Sequence, residues 1–130
     1  MASADATAED LPGIIRAVRA LTTAFGAAPL PPDERESLLC AAAAVPAQVR
    51  ANLFARQIDG DDVLRGLMVP LLVSHGRSDT VVLPGMAEHI RAVCPTAEVS
   101  WYDNVGHVPL LEASDRFNAE LAALTRRTRT

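Results

Sequence analysis

Residues 69–82 read Val-Pro-Leu-Leu-Val-Ser-His-Gly-Arg-Ser-Asp-Thr-Val-Val, and this stretch decides the fold. Its first six residues form a nearly continuous apolar run, which predicts a strand covered on both faces. Pro70 lies at the beginning of that strand, where a missing amide hydrogen is tolerated. A polar loop at residues 76–80 follows directly, so any chemistry on this strand is expected at its carboxyl end.

Downstream of this stretch, helix and strand patterns alternate. We expect a helix that begins near Pro84 and ends before Pro95, a strand at residues 98–102 and a last helix from Ser114. This order predicts a parallel βαβα unit. Apolar side chains at helical spacing predict the buried faces of the two helices, which are Met86, Ile90 and Val93 in the first and Phe117, Leu121 and Leu124 in the last.

Upstream of residue 69, the sequence predicts helices. An apolar stripe runs through residues 11–25 after Asp10, which we expect to be the N-cap. Gly26 is expected to end this helix as a left-handed cap. Further helices are expected from Asp33 and from Pro46, with Pro46 in the first turn, and a short one precedes residue 66.

The composition excludes several classes of function. The chain has 130 residues, of which 49% are hydrophobic, and this is enough for a buried core and too apolar for a disordered chain. No long uninterrupted apolar stretch occurs, so we expect no membrane span. The twelve basic residues are all arginine, against sixteen acidic residues, and they form no basic stripe. We therefore expect no nucleic-acid partner.

The cysteines and the start of the chain bear on its location. Cys40 and Cys94 have no metal-ligand spacing, and we interpret both as small buried hydrophobic residues in a reducing compartment. The small, acidic start, Met1–Ala6, lacks the basic and apolar regions of a signal peptide. Together these features predict a cytoplasmic protein.

Two polar residues follow the two predicted strands. Asp79 comes a few residues after the first strand, and His107 comes a few residues after the second. Because the carboxyl ends of parallel strands open on the same edge of a sheet, the two side chains are expected there together. An Asp that accepts the Nδ1 proton of a His fixes its tautomer and leaves Nε2 free as a general base. A single Asp or His in a loop is more often a capping or solvated residue, so residue types alone leave both interpretations open.

The other histidines suggest structural roles. His75 is interpreted as a packed residue at the end of the first strand, and His89 as a solvated residue on the polar side of its helix. No close pair of metal ligands occurs, so we expect no metal site and no organic cofactor.

The local sequence around Asp79 and His107 points to a known family. Residues 69–82 resemble the penultimate strand and acid loop of the α/β-hydrolase family. The segment Gly-His-Val-Pro-Leu-Leu-Glu at residues 106–112 is similar to the histidine loop of that family, and the helix after it resembles the closing helix. The two motifs occur in the family's order, over residues 69–124. The helices before residue 68 are similar in character to the helical cap that many members insert before this strand.

The resemblance implies both an architecture and a site. The fold class is then α/β, with a helical cap-like segment at residues 1–66 and the C-terminal part of an α/β-hydrolase core, a parallel βαβα unit, at residues 67–130. Asp79 would be the acid of the catalytic triad and His107 its base. The residues that would border the acyl or alkyl pocket are Val82, Leu83 and Val108.

The nucleophile of this family has no counterpart in the sequence. The family places it in a Gly-x-Ser-x-Gly elbow upstream of the acid, between a strand and a helix. No serine of this chain has those neighbours; the serines are Ser3, Ser37, Ser74, Ser78, Ser100 and Ser114. Ser78 comes nearest, but it shares the loop of the acid and therefore cannot approach His107 from the opposite side. The oxyanion-hole loop, which the family places earlier still, has no candidate either.

These observations support one principal hypothesis and two alternatives. The chain is expected to be part of a hydrolase that acts on a small apolar ester-like substrate, or on an epoxide or halide, and that keeps only Asp79 and His107 of its triad here. The first alternative is a non-catalytic chain that docks with itself or with a complementing chain that supplies the missing sheet, because a two-stranded sheet is rarely stable alone. The second is an unrelated small α/β domain with a chance arrangement of loop residues.

Overall fold

A computed structural model describes residues 10–127, which form two compact units. Within this range, the first unit contains residues 10–24 and 29–58, and the second contains residues 25–28 and 59–127. The acidic start, on which the expectation of no signal peptide rests, lies outside the described residues. The division at residues 66 and 67 between cap and core stays a prediction.

The helices of the first unit lie close to the predicted positions. They are α1 (Leu11–Phe25, whose last residue belongs to the second unit), α2 (Pro32–Ala43) and α3 (Ala47–Ala55). Pro31 and Pro46 are extended, with ψ angles of 145° and 144°, and each lies just before a helix. Pro46 is therefore the N-cap of α3 and lies outside its first turn, because the fixed φ of proline lets the chain enter the helix without an amide donor.

Two further predictions about this half of the chain are wrong. No glycine among the described residues has a positive φ, so Gly26 does not form a left-handed cap. A glycine is required there by close approach, because a Cβ on Gly26 would lie 2.3 Å from the carbonyl oxygen of Ala28. Cys40 is exposed, and the helix that carries it, α2, has no buried residue, whereas Cys94 is buried as predicted.

The second unit contains the sheet. Strands β1 (Leu71–Gly76) and β2 (Ala97–Tyr102) pair in parallel over their whole length, and they are the strands of the described residues. The first strand begins two residues later than predicted and extends to the glycine that opens the polar loop. Equal lengths and an unbroken register bring the carboxyl ends of β1 and β2 to the same edge of the sheet.

Four helices accompany the sheet in this unit. These are α4 (Asp61–Arg65), α5 (Gly85–Val93), α6 (Pro109–Glu112) and α7 (Ser114–Arg127). The helix α5 connects the two strands and packs on β2, and α6 packs on β1 and α7. The order β1, α5, β2, α7 confirms the predicted parallel βαβα unit, and α6 is an additional short helix that the sequence did not reveal.

The buried faces of α5 and α7 are only partly as predicted. Met86 is 54% exposed and Leu121 is 46% exposed, so the interpretation of both as buried is wrong. The fully buried residue of α5 is Ala87. A sheet of two strands among residues 10–127 covers only a narrow part of each helix, which leaves these larger side chains open to solvent.

A polar cluster attaches α7 to β2. The carboxylate of Glu120 accepts hydrogen bonds from the Tyr102 hydroxyl at 2.6 Å, from the Ser100 hydroxyl at 2.9 Å and from Arg116 Nε at 2.8 Å. The Arg116 guanidinium also lies 4.0 Å from the centre of the Tyr102 ring. Tyr102 is 1% exposed, so its hydroxyl needs the partner that Glu120 provides.

Candidate active site

The loops after β1 and β2 are joined by their backbones. The amide of Arg77 donates to the carbonyl oxygen of Tyr102, the last residue of β2, at 2.9 Å, and the amide of Ser78 donates to that of Val105 in the second loop at 3.0 Å. Both bonds extend the pairing of the strands beyond the end of β1. Gly76 has no room for a side chain, because a Cβ there would lie 2.0 Å from the carbonyl oxygen of Gly106. This close approach brings the loop after β1, which carries Asp79, beside the loop after β2, which carries His107.

Asp79 is held in one position by both of its carboxylate oxygens. Oδ1 accepts hydrogen bonds from the amides of Val81 and Val82, at 2.8 and 2.9 Å. Oδ2 lies 2.9 Å from Nδ1 of His107. Asp79 is only 6% exposed, and such a buried carboxylate is tolerated because its lone pairs have partners.

The surroundings of Asp79 favour its ionised form. Burial by itself raises the pKa of this carboxyl, but the hydrogen bond from His107, the backbone amides of Val82 and Val81 and the charge of a protonated His107 outweigh that effect. The net result is a pKa below the ordinary value of an aspartic acid. Asp79 is therefore an acceptor for the His107 ring near neutral pH.

His107 lies between Asp79 and the short segment at the end of α1. Its backbone amide donates to the carbonyl oxygen of Phe25, and the two rings are 5.1 Å apart. The bond to Asp79 uses Nδ1, and no group within residues 10–127 bonds to Nε2. The side chain is 29% exposed, so Nε2 belongs to a partly open imidazole that is oriented by a carboxylate. The turn before it contains Asn104 at φ 58°, a left-handed conformation that asparagine tolerates.

A second histidine lies beside the same carboxylate. His75 is buried at 8% exposure, as predicted for a packed residue at the end of a strand. Its Nε2 lies 3.1 Å from the carbonyl oxygen of Val82 and 3.8 Å from Oδ2 of Asp79. Since a carbonyl can only accept, the proton of this ring is placed on Nε2. His75 thereby holds the carbonyl of Val82, and the amide of the same residue donates to Asp79.

Sequence reasoning missed a third charged residue of this region, Glu112. Its Oε1 accepts from the amides of Gly106 and Val108 at 2.9 and 3.3 Å, and its Oε2 accepts from the amide of Ala27 at 2.7 Å. Glu112 is the last residue of the one-turn helix α6, and its bonds to amides that precede this helix act on the same principle as a capping box. The spacing of Glu112 after Val108 could have suggested that local contact, but nothing in the sequence indicates the contact with Ala27.

The three residues predicted to border a substrate pocket have different surroundings. Val82 is part of the acid loop through its amide and carbonyl, and its side chain is exposed. Val108 follows His107 directly and is half-buried, whereas Leu83 is 68% exposed. Their role toward a substrate stays a prediction.

Three further predictions from the sequence concern His89, metal binding and membrane spans. His89 is half exposed and its Nε2 lies 2.7 Å from Asp61, so it pairs with a carboxylate and is not simply solvated. In the part of the chain that the structure describes, no three His, Cys, Asp or Glu side chains are grouped so that they could hold a metal ion. None of the described helices combines the length and apolar character needed to cross a membrane.

Comparison with known sequences gives short matches to lipases. Lipase 3 of Moraxella sp. (strain TA144) is 42% identical over 45 residues, which is 35% of this chain and 14% of the lipase. Lipase 1 of Psychrobacter immobilis is 38% identical over 47 residues, or 36% of this chain and 15% of the lipase. The matched stretch is thus a small part of these curated relatives. No protein-family model matches the chain.

Comparison with solved structures gives matches over nearly the whole chain. A Burkholderia cenocepacia protein assigned as an aryl esterase has a TM-score of 0.87 at 22% identity, over 98% of this chain and 48% of that protein. An esterase from a Rhodococcus species has a TM-score of 0.81 at 31% identity, over 92% and 44%. A bromoperoxidase from Bacillus anthracis has a TM-score of 0.80 at 18% identity, over 88% and 46%. The chain therefore spans slightly less than half the length of each of these structures.

Proposed function

Because this chain belongs by its fold to the α/β-hydrolase superfamily, we propose that it supplies the acid and the base of a hydrolase active site. Its relatives are of the esterase and lipase type, and it spans slightly less than half of the two solved esterase structures. The observation that carries the proposal is the 2.9 Å contact between Asp79 Oδ2 and His107 Nδ1. In this proposal Asp79 orients the imidazole, and His107 Nε2 takes the proton of the attacking hydroxyl or water.

The acid and the base are assigned by their surroundings. Asp79 is buried, has two backbone donors and has a lowered pKa, so it stays ionised and stabilises the imidazolium that forms when His107 accepts a proton. His107 is partly exposed, so Nε2 can reach a reacting group. When the bond to the leaving group breaks, the same Nε2 gives this proton to the leaving group as a general acid.

The proposal places the nucleophile and the oxyanion donors outside this sequence. The relatives are esterases and lipases, so we propose a small, apolar, ester-like substrate bordered by Val82, Leu83 and Val108. The proposed reaction uses no metal or organic cofactor. The 130-residue chain alone is expected to have little or no turnover, because triad residues act as a unit. A cytoplasmic location also stays a prediction.

A transplant into a complete relative tests this proposal. Residues of this chain would replace the matched portion of the Rhodococcus esterase, and hydrolysis of short p-nitrophenyl esters would be measured for the chimera and for the chain alone. We expect an active chimera that loses activity in His107→Ala and keeps it in His89→Ala, which removes an exposed histidine instead. A folded chimera that is as active with His107→Ala as without it would contradict the proposed base. Robust, His107-dependent activity of the chain alone would contradict an external nucleophile.

A second function, docking without catalysis, is favoured by one observation. Within the described residues the sheet has two strands, and the segment before β1 is open, with Met68 86% and Val69 60% exposed. A second copy or a complementing chain would pair with the free strand edge. Light scattering after size-exclusion chromatography distinguishes a chain that associates through this edge from one that stays a monomer. A monomer with a sharp melting transition would argue against the need for such a partner.

A further inference from the structure

We propose that Glu112 is a positioning residue, which sets the place of the His107 imidazole by holding the backbone on both sides of it. This inference rests on the proposed function of His107. It is carried by three hydrogen bonds, from the amides of Gly106, Val108 and Ala27 to one carboxylate, at 2.7–3.3 Å. Two of these amides belong to the residues directly before and after the base.

The third amide connects the histidine loop to the short segment at the end of α1, residues 25–28. Ala27 belongs to residues 25–28, and the same segment accepts the backbone amide of His107 through the Phe25 carbonyl. The Phe25 ring also lies against the imidazole. Glu112 therefore closes a ring of contacts that runs from its own carboxylate through Ala27 and Phe25 to His107.

The crowding at Gly106 makes this arrangement sensitive to small shifts. A Cβ on Gly106 would lie 2.6–2.7 Å from backbone atoms of residues 25–27, so the two segments are already in close contact. A carboxylate is suited to this place because its two oxygens can accept from amides on opposite sides, whereas a carboxamide has one accepting oxygen and a donating group. Charge on the acceptor also strengthens each of the three bonds.

The position of His107 matters because its contact with Asp79 depends on geometry. Nδ1 lies at hydrogen-bond distance from a carboxylate that the other loop holds fixed. If the histidine loop moves away, the Nδ1 proton loses its acceptor and the tautomer with a free Nε2 is no longer selected. Misplacement of about 1 Å at a reacting group can lower a rate about 100-fold.

The test uses the full 130-residue chain with Glu112→Gln, compared with Glu88→Gln, which changes an exposed glutamate of α5 in the same way. Amide hydrogen exchange and the proton resonance of His107 Nδ1 would be measured for both. In Glu112→Gln we expect exchange at Gly106, Val108 and Ala27 to be at least about tenfold faster. We also expect the Nδ1 proton resonance to weaken or disappear, while the amides of β1 and β2 keep their protection.

A second variant separates reach from charge. Glu112→Asp keeps the negative charge but shortens the side chain by one methylene, so it cannot span Gly106 and Ala27 together. We expect it to show the same local loss as Glu112→Gln. If Glu112→Asp kept the Nδ1 resonance and the exchange protection of all three amides, the proposal would be overturned, since the negative charge would then suffice without the reach of the longer side chain.

Other outcomes also decide the question. Unchanged exchange and an unchanged Nδ1 resonance in Glu112→Gln would overturn it, and so would faster exchange spread equally over both strands, which indicates a merely structural role. In the chimeric esterase we expect Glu112→Gln to lower kcat about tenfold or more with little change in KM. These readouts are separable from the proposed function: an inactive chimera would count against that function, while exchange and resonance data would still decide the role of Glu112.

Discussion

Asp79 and His107 are 28 residues apart in the chain, yet Oδ2 of the first lies 2.9 Å from Nδ1 of the second. The parallel register of β1 and β2 creates this proximity, because it ends both strands at the same edge. Backbone bonds from Arg77 to Tyr102 and from Ser78 to Val105 then continue the pairing past the end of β1. The site is thus a direct extension of the sheet, and its precision depends on the loop backbones.

The substitution Asp79→Asn tests the orientation of the base. An asparagine can present its amide group to Nδ1, which favours the wrong tautomer of His107 and removes the negative charge that stabilises the imidazolium. In the chimeric esterase we expect kcat to fall about 10³–10⁴-fold. In the chain alone, the hydrogen-bonded Nδ1 proton resonance of His107 should disappear.

Asp103→Asn is the matched control for this substitution. Asp103 lies in the histidine loop but is 81% exposed and pairs with Arg77. We expect rate and resonance to stay near those of the unchanged protein, because exposed ion pairs contribute little. Equal effects of the two substitutions would contradict a specific role of Asp79.

Gly106→Ala tests how closely the two segments approach. A Cβ there would meet the backbone of residues 25–27 at 2.6–2.7 Å, so one of the segments must shift. We expect the free energy of unfolding to fall by about 1–3 kcal/mol, as overpacking does in a buried site. The Nδ1 resonance of His107 should weaken as well. Urea denaturation and proton NMR of the same sample measure both effects.

Gly85→Ala provides the comparison for that measurement. Gly85 begins α5, and a Cβ at this position would meet nothing within 4 Å. Alanine is favoured over glycine in a helix, so we expect unchanged or increased stability, by up to about 1 kcal/mol. If Gly106→Ala were as harmless as Gly85→Ala, the crowding argument for the histidine loop would fail.

The sequence was informative where a local pattern determines the structure. The apolar run before Ser74 predicted β1, and the alternation of strand and helix predicted the parallel unit, because hydrophobic period and chain order decide both. The same order predicted that Asp79 and His107 would lie at one edge of the sheet. The structure places them in contact, although their catalytic role remains a proposal.

What could not be predicted depends on contacts between distant parts of the chain. Glu112 binds the amide of Ala27 across 85 residues of sequence, and no local pattern encodes that bond. The exposure of Met86 and Leu121 has a similar origin: helical spacing identifies an apolar face but not whether another element covers it. Helix periodicity therefore predicted which side chains share a face, and it failed for those that nothing in the described residues covers.

Glu120→Gln tests the polar cluster that attaches α7 to β2. Glu120 accepts three hydrogen bonds, including one of 2.6 Å from the buried Tyr102 hydroxyl. Hydrogen bonds to charged groups contribute more than neutral ones, so we expect a loss of about 1.5–3 kcal/mol in the free energy of unfolding. Chemical denaturation at neutral pH measures this loss.

The same change at Glu98 is the control. Glu98 accepts two bonds from Arg127, but its side chain is 60% exposed, against 26% for Glu120. Exposed ion pairs of this kind contribute about 0–1 kcal/mol, so Glu98→Gln should cost less than Glu120→Gln. A larger loss for Glu98→Gln would show that the cluster around Tyr102 does not hold α7.

The stability of the protein should depend on pH through Asp79 and Glu120. Burial raises the pKa of each, but hydrogen bonds, from His107 and two amides in one case and from Tyr102, Arg116 and Ser100 in the other, lower both below their ordinary values. The folded state then binds fewer protons than the unfolded state, whose carboxyls titrate near about pH 4. The contribution is therefore complete above about pH 5 and is lost as the pH falls through the lower pKa values of the folded state.

Denaturation midpoints measured from pH 7 to pH 3 should fall steeply for the unchanged protein and less steeply for Asp79→Asn combined with Glu120→Gln. A slope that the double variant leaves unaltered would assign the acid sensitivity to other carboxyls.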